Sequence, residues 1–79
     1  PEPNYDSAIS CIEKSIAGAE QNDADVLTGL GKLELGRVHA LRGEKSLAKD
    51  TLQSALTIFE RVNMMYPTLW ARQALEDLD

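Results

Sequence analysis

One cysteine (Cys11), one histidine (His39) and no apolar run longer than three residues exclude several kinds of chemistry from this chain of 79 residues. A single thiol builds no internal disulfide framework, which fits a reducing compartment. Runs of three apolar residues fall far short of the roughly 20 that span a bilayer, and the opening residues show no charged-then-apolar leader. The expectation is a soluble, cytoplasmic segment with no membrane partner. Basic residues are also scarce, 8 Lys and Arg against 13 Asp and Glu, for a formal charge of -5. Phosphate backbones attract clustered cations, so nucleic acid is not an expected partner. His39 has only Glu34 near metal-ligand spacing, and no spaced carboxylate cluster accompanies it. Neither a metal, a cofactor nor enzymatic activity is therefore expected. A chain this short also buries a modest fraction of its surface, which makes a large catalytic cavity improbable.

What the chain does have is a match to itself at a shift of 40 residues. Ala8 falls on Ala48, Ile12 on Leu52, Ser15 on Ala55, Ile16 on Leu56 and Glu20 on Glu60; further on, Leu30 falls on Trp70, Gly31 on Ala71, Lys32 on Arg72 and Leu35 on Leu75. A repeat unit cannot bury its apolar face alone and must stack on neighbours, which favours a surface for partners over a catalytic pocket.

The periodicity predicts four helices, over about 5–21, 24–42, 45–63 and 68–78, preceded by a linker or helix-entry turn at residues 1–4, with 5–79 as one helical-repeat domain. In the first helix Tyr5, Ala8, Ile9, Ile12, Ile16 and Ala19 recur at three- and four-residue steps. Asp23 or Asp25 is placed to cap the second helix. That helix is apolar on more than one side, as expected of a central helix. Gly29, Gly31 and Gly36 within it each cost about 1 kcal/mol relative to Ala, a cost that close approach of another helix offsets; no strand precedes them, so they are not a phosphate loop. Gly43 ends the second helix in the left-handed conformation. In the third, Ala48, Leu52, Ala55, Phe59 and Val62 form one seam. Residues Asn63 to Pro67 are expected as a turn, with Pro67 at the entry to the last helix and Met64, Met65 and Tyr66 either an adaptable contact patch or a plug between helices. Trp70, Ala71, Ala74, Leu75 and Leu78 form the apolar stripe of that last helix. Cys11 is expected to be a small core or edge residue.

The two middle helices make one hairpin with the spacing Leu35, Gly36, His39, Gly43, Ala48, Leu52 and Ala55. Small residues at Gly36, Ala48 and Ala55 mark where antiparallel helices cross most closely, and Leu35 and Leu52 fill the gaps beside them. This order of small and large residues resembles the tetratricopeptide repeat, with departures at Lys32, where an aromatic is common, at His39 in place of the usual Tyr, and at Glu60, where a Pro often ends the second helix. A typical unit of that family has about 34 residues; 40 requires roughly one more helical turn and loop. HEAT and armadillo units have periods of about 40 to 47 residues, but the Leu-Gly and Ala positions fit the tetratricopeptide pattern better. The stretch from Phe59 to Leu75 also looks similar to the long-unit repeats at the C-terminal ends of bacterial signalling ATPases, cyclase-linked proteins and transcriptional activators.

The resemblance implies an all-α fold, antiparallel helix hairpins stacked as a short right-handed solenoid, cut from a longer array. It also implies a scaffold or regulatory role in signalling: binding of a partner protein or peptide on a concave face lined by first-type helices. By repeat position that face comprises Leu33, Arg37, Ala40 and Leu41 on the second helix and Gln73 and Asp77 on the last. Arg37 is the residue expected to pair with a partner carboxylate, its competing role being a solvated pair with Glu34. Leu33, Gln73 and Asp77 stand where some members carry the basic clamp for a chaperone C-terminus, so no such clamp is expected. Two other readings compete: a homodimer paired through the exposed apolar face of the first helix around Ile9 and Ile16, and a small helical ligand sensor.

Overall fold

The computed structural model describes residues 4–78 and, among them, only helices and turns. Helix α1 spans Tyr5–Gln21, α2 Asp25–Leu41, α3 Lys45–Arg61 and α4 Met65–Asp77, so successive helices open at intervals of 20 residues. None of them is long and apolar enough to cross a membrane. Asn4 caps α1, its Oδ1 accepting from the Ser7 amide at 3.1 Å, which satisfies one of the orphan donors of the first turn. Pro1, Glu2 and Pro3, the rest of the expected entry segment, lie outside the described residues.

The three turns share one hydrogen-bond pattern. The amides of Ala24, Glu44 and Met64 donate back to the carbonyls of Ala19, His39 and Phe59 at 2.9, 2.9 and 3.0 Å, while those of Asp23, Gly43 and Asn63 donate to Glu20, Ala40 and Glu60. These paired bonds satisfy the last carbonyls of a helix when the residue between them takes positive φ. Gly43 does so at 81°, as expected, but Asp23 and Asn63 do so too, at 52° and 59°. Short polar side chains tolerate that conformation best among residues with a Cβ.

Two helix starts differ from expectation. Neither Asp23 nor Asp25 caps α2: Ala24 is the N-cap, with no side-chain bond. Asp23 is committed to the turn, and Asp25, already in the helix, pairs with Arg61 at 3.3 Å. The last helix begins at Met65 rather than Thr68, with Pro67 as its third residue. The first amides of a helix have no internal partner, so a proline there forfeits nothing. The third helix likewise stops at Arg61, two residues short of Asn63, because Asn63 has left helical φ.

Helix α2 packs against α1 and α3, α3 packs against α4, and α2 also reaches α4, whereas the backbone of α1 comes within 8 Å of neither α3 nor α4. The second helix is thus the central one. Glycines set the crossings. A Cβ on Gly29 would lie 2.6 Å from the Phe59 ring, one on Gly31 2.7 Å from Ile16 Cγ1, and one on Gly36 2.6 Å from Leu52 Cγ and Cδ2. The pairs Gly29 with Phe59 and Gly36 with Leu52 run in opposite senses along α2 and α3, an antiparallel hairpin. Leu33, Leu52, Ala55, Leu56, Phe59 and Ala71 form the main core between α2, α3 and α4, with Leu30, Met64, Ala74, Leu75 and Leu78 packed around it. Ala48 and Ala55, at the close crossing, are fully buried, and Leu35 is half-buried beside them.

Candidate functional site

Side by side, α2 and α4 leave a groove of about 450 Å³ with Leu52 of α3 at its floor. Arg37, Ala40 and Leu41 line it from α2; Trp70, Gln73, Ala74, Asp77 and Leu78 line it from α4. Residues 37 and 41, and residues 70, 73 and 77, recur at helical steps that put each set on one face. Five of the six residues expected on the concave face therefore meet in one groove. The sixth, Leu33, does not. It is 2 % exposed and belongs to the core, because it points between α3 and α4.

The groove combines exposed apolar surface with separated charges. Leu41 is 70 % and Trp70 47 % exposed. Trp70, expected in the buried stripe of the last helix, thus belongs to the surface instead: Ala71 takes the fully buried place beside it. Of the four arginines, Arg42 pairs with Asp6 and Glu44, Arg61 with Asp25 and Arg72 with Glu60. Arg37 alone makes no ion pair with a described residue, and the expected competing pair with Glu34 is not formed. Across the groove the Gln73 amide donates to Asp77 Oδ1 at 3.0 Å, which holds that carboxylate along its own helix.

The remaining candidate groups lie elsewhere. His39 is buried, with Nδ1 3.0 Å from Glu44 Oε1; it ties the end of α2 to the start of α3, and Arg42 joins Glu44 to Asp6 of α1. It is a structural link in the slot where the resemblance places a Tyr. Cys11 is exposed on α1 rather than tucked into a core or edge, because the close contacts of α1 are made by Ile16 and Ala19 on another face. Among the described residues no three His, Cys, Asp or Glu side chains gather as metal ligands. Of the residues expected as a plug or a contact patch, Met64 packs on the core, and Met65 and Tyr66, in the first turn of α4, are each 65 % exposed. Ile16, one of the two residues named for pairing between copies, is 8 % exposed because it closes over Gly31, and Ile9 is half-buried.

Trp70, Ala74 and Leu78 join the lining beyond the residues expected from repeat position. A signal for it exists in the spacing, since Trp70 precedes Gln73 and Asp77 by three and seven residues and so shares their face. Comparison with protein-family models, with curated proteins and with solved structures finds no match.

Proposed function

We propose that the chain is a tetratricopeptide-like scaffold segment, its hairpins stacked as a short right-handed solenoid, that binds a partner peptide or protein in the groove between α2 and α4 and carries no chemistry of its own. One observation carries this reading: Leu41 and Trp70, both large and substantially exposed, flank an open groove whose only unpaired cation among the described residues is Arg37. Aromatic anchors and Arg supply much of the energy of peptide recognition, and a guanidinium accepts a carboxylate in a bidentate pair. The expected ligand is a short segment with an aliphatic or aromatic anchor and a nearby acidic residue. Each helix packs on the next in order, α1 on α2, α2 on α3 and α3 on α4, while the backbones of α1 and α3 stay more than 8 Å apart, which supports the stacked arrangement. Burial of Ile16 counts against a homodimer formed through α1.

A peptide array probed with the wild-type chain and with an Arg37→Glu, Trp70→Ala double variant tests the proposal. The wild type is expected to select sequences of the stated kind and the variant to lose them. Equal binding by both proteins refutes the groove as the binding site.

A further inference from the structure

The shift of 40 residues relates α1 to α3 and α2 to α4, which allows two grooves to be compared contact by contact. The pair α3 and α4 is covered by α2, with Gly29 beneath Phe59 and Gly36 beneath Leu52. The corresponding groove on α1 and α2, also about 450 Å³, is lined by Ala19, Leu27, Leu30 and Glu34 among others. No described helix covers it, and Leu27 in it is 62 % exposed. It shares no residue with the groove between α2 and α4.

Carrying the contacts of α2 across the repeat specifies what fits there. Phe59 corresponds to Ala19, so the bulk that α3 supplies at that crossing is missing from α1 and must come from the incoming helix, in place of Gly29. Leu52 corresponds to Ile12, a side chain of the same size, so a small residue is still needed in place of Gly36, seven positions later. Arg37 and Ala74 line one groove, and Ala74 corresponds to Glu34, which is exposed and makes no ion pair with a described residue. A cation in the place of Arg37, eight positions after the bulky residue, therefore stands beside Glu34. We propose that the α1–α2 groove docks an amphipathic helix from another protein segment, one with a Leu- or Phe-sized residue, a small residue seven positions on and Arg or Lys immediately after it.

A second copy does not meet this description. Its α4 offers Leu69 as the bulky residue, but Glu76 stands where a small residue is required and Asp77 where a cation is required. Its Arg72 would also face Lys14 where, within the chain, Lys32 donates to Ser54 at 2.9 Å. Like charges in such a place oppose association.

The probe is a synthetic copy of α2, residues 24–42, carrying Gly29→Leu and held helical by a staple on its outward side. Titrated into isotopically labelled protein, it is expected to shift the amide signals of Ala19, Leu27, Leu30 and Glu34 saturably. Glu34→Arg in the protein is expected to weaken binding by about tenfold or more, and Arg37→Glu in the peptide to recover affinity for that variant. Failure of the helical peptide to bind at millimolar concentration overturns the proposal. So do shifts confined to Trp70 and Gln73, or an affinity indifferent to Glu34→Arg. Self-association of the wild type that disappears with Leu69→Glu would instead identify a second copy as the occupant and overturn it as well.

Discussion

Gly36 and Leu52 approach so closely that a Cβ on the glycine would lie 2.6 Å from the leucine's Cγ and Cδ2, with the Ala48 carbonyl oxygen 3.4 Å away on the same side. Leu52 is 1 % exposed and belongs to the core cluster with Leu33, Ala55 and Phe59. Gly36→Ala gains up to about 1 kcal/mol of helix propensity and loses about 1–3 kcal/mol to overpacking. Overpacking wins here because the obstructing atoms are a buried branch point and a backbone carbonyl rather than the tip of a flexible chain. The expected net cost is up to about 2 kcal/mol, read as a lower midpoint in thermal or urea unfolding.

Gly18 supplies the contrast. It lies inside α1, and nothing stands within 4 Å of a Cβ built there. Only the propensity term operates, so Gly18→Ala is expected to stabilise the chain by roughly 0.5–1 kcal/mol. For a domain of this size each kcal/mol moves the thermal midpoint by about 4–8 °C, so the two glycine variants should melt on opposite sides of the wild type.

Much of this was legible in the sequence, because small residues and periodic apolar residues both report on packing. The 40-residue match and the glycines of α2 located the close crossings, and helical steps located five of the groove's residues. What escaped has local causes. Asp23 and Asn63 adopt left-handed φ in turns that show no glycine, since the paired carbonyl bonds of the turn hold the backbone there. Pro67 stands in the first turn of α4 as expected, but the helix opens two residues before it, at Met65, because none of the first amides of a helix has an internal partner to mark where the turn begins. Leu33 and Arg37 are one helical turn apart and look alike in register, yet only the depth of α3 and α4 against α2 decides that one is core and the other surface.

Ala48 and Ala55 are both fully buried on α3. Ala48→Leu drives three additional carbons toward the Gly36 crossing, and Ala55→Phe places a ring within the core that already holds Leu33, Leu56 and Phe59. Each is expected to cost about 1–3 kcal/mol or more by overpacking, enough to unfold a marginal chain of this size. Circular dichroism against temperature is the check. A variant that melts like the wild type would contradict the close crossing of α2 and α3.

The turns make a prediction that separates backbone strain from contact. Gly43 has φ of 81° and nothing within 4 Å of an added Cβ, so Gly43→Ala clashes with no neighbour and acts through conformation alone, at about 1–2 kcal/mol. Asp23 occupies the equivalent place 20 residues earlier with φ of 52°, and Asp23→Gly is expected to relieve part of the same strain. Chemical denaturation should show a lower midpoint for the first variant and an unchanged or higher one for the second. The reverse order would mean that the Asp23 side chain stabilises its turn by more than its backbone conformation costs.

Residues of the α2–α4 groove should behave differently from all of these. Arg37 makes no ion pair with a described residue, and Leu41 is 70 % exposed. Substitutions at surface sites without buried contacts usually change stability by no more than about 0.5 kcal/mol. Arg37→Glu and Leu41→Ala are therefore expected to leave the unfolding midpoint close to wild type while changing what the groove retains. Loss of binding together with loss of stability would place these side chains in the fold rather than in recognition. Binding loss at constant stability separates the two, because a groove kept open for a ligand is stabilised by the residues beneath it, here Leu33, Leu52 and Ala71, and not by those that face the ligand.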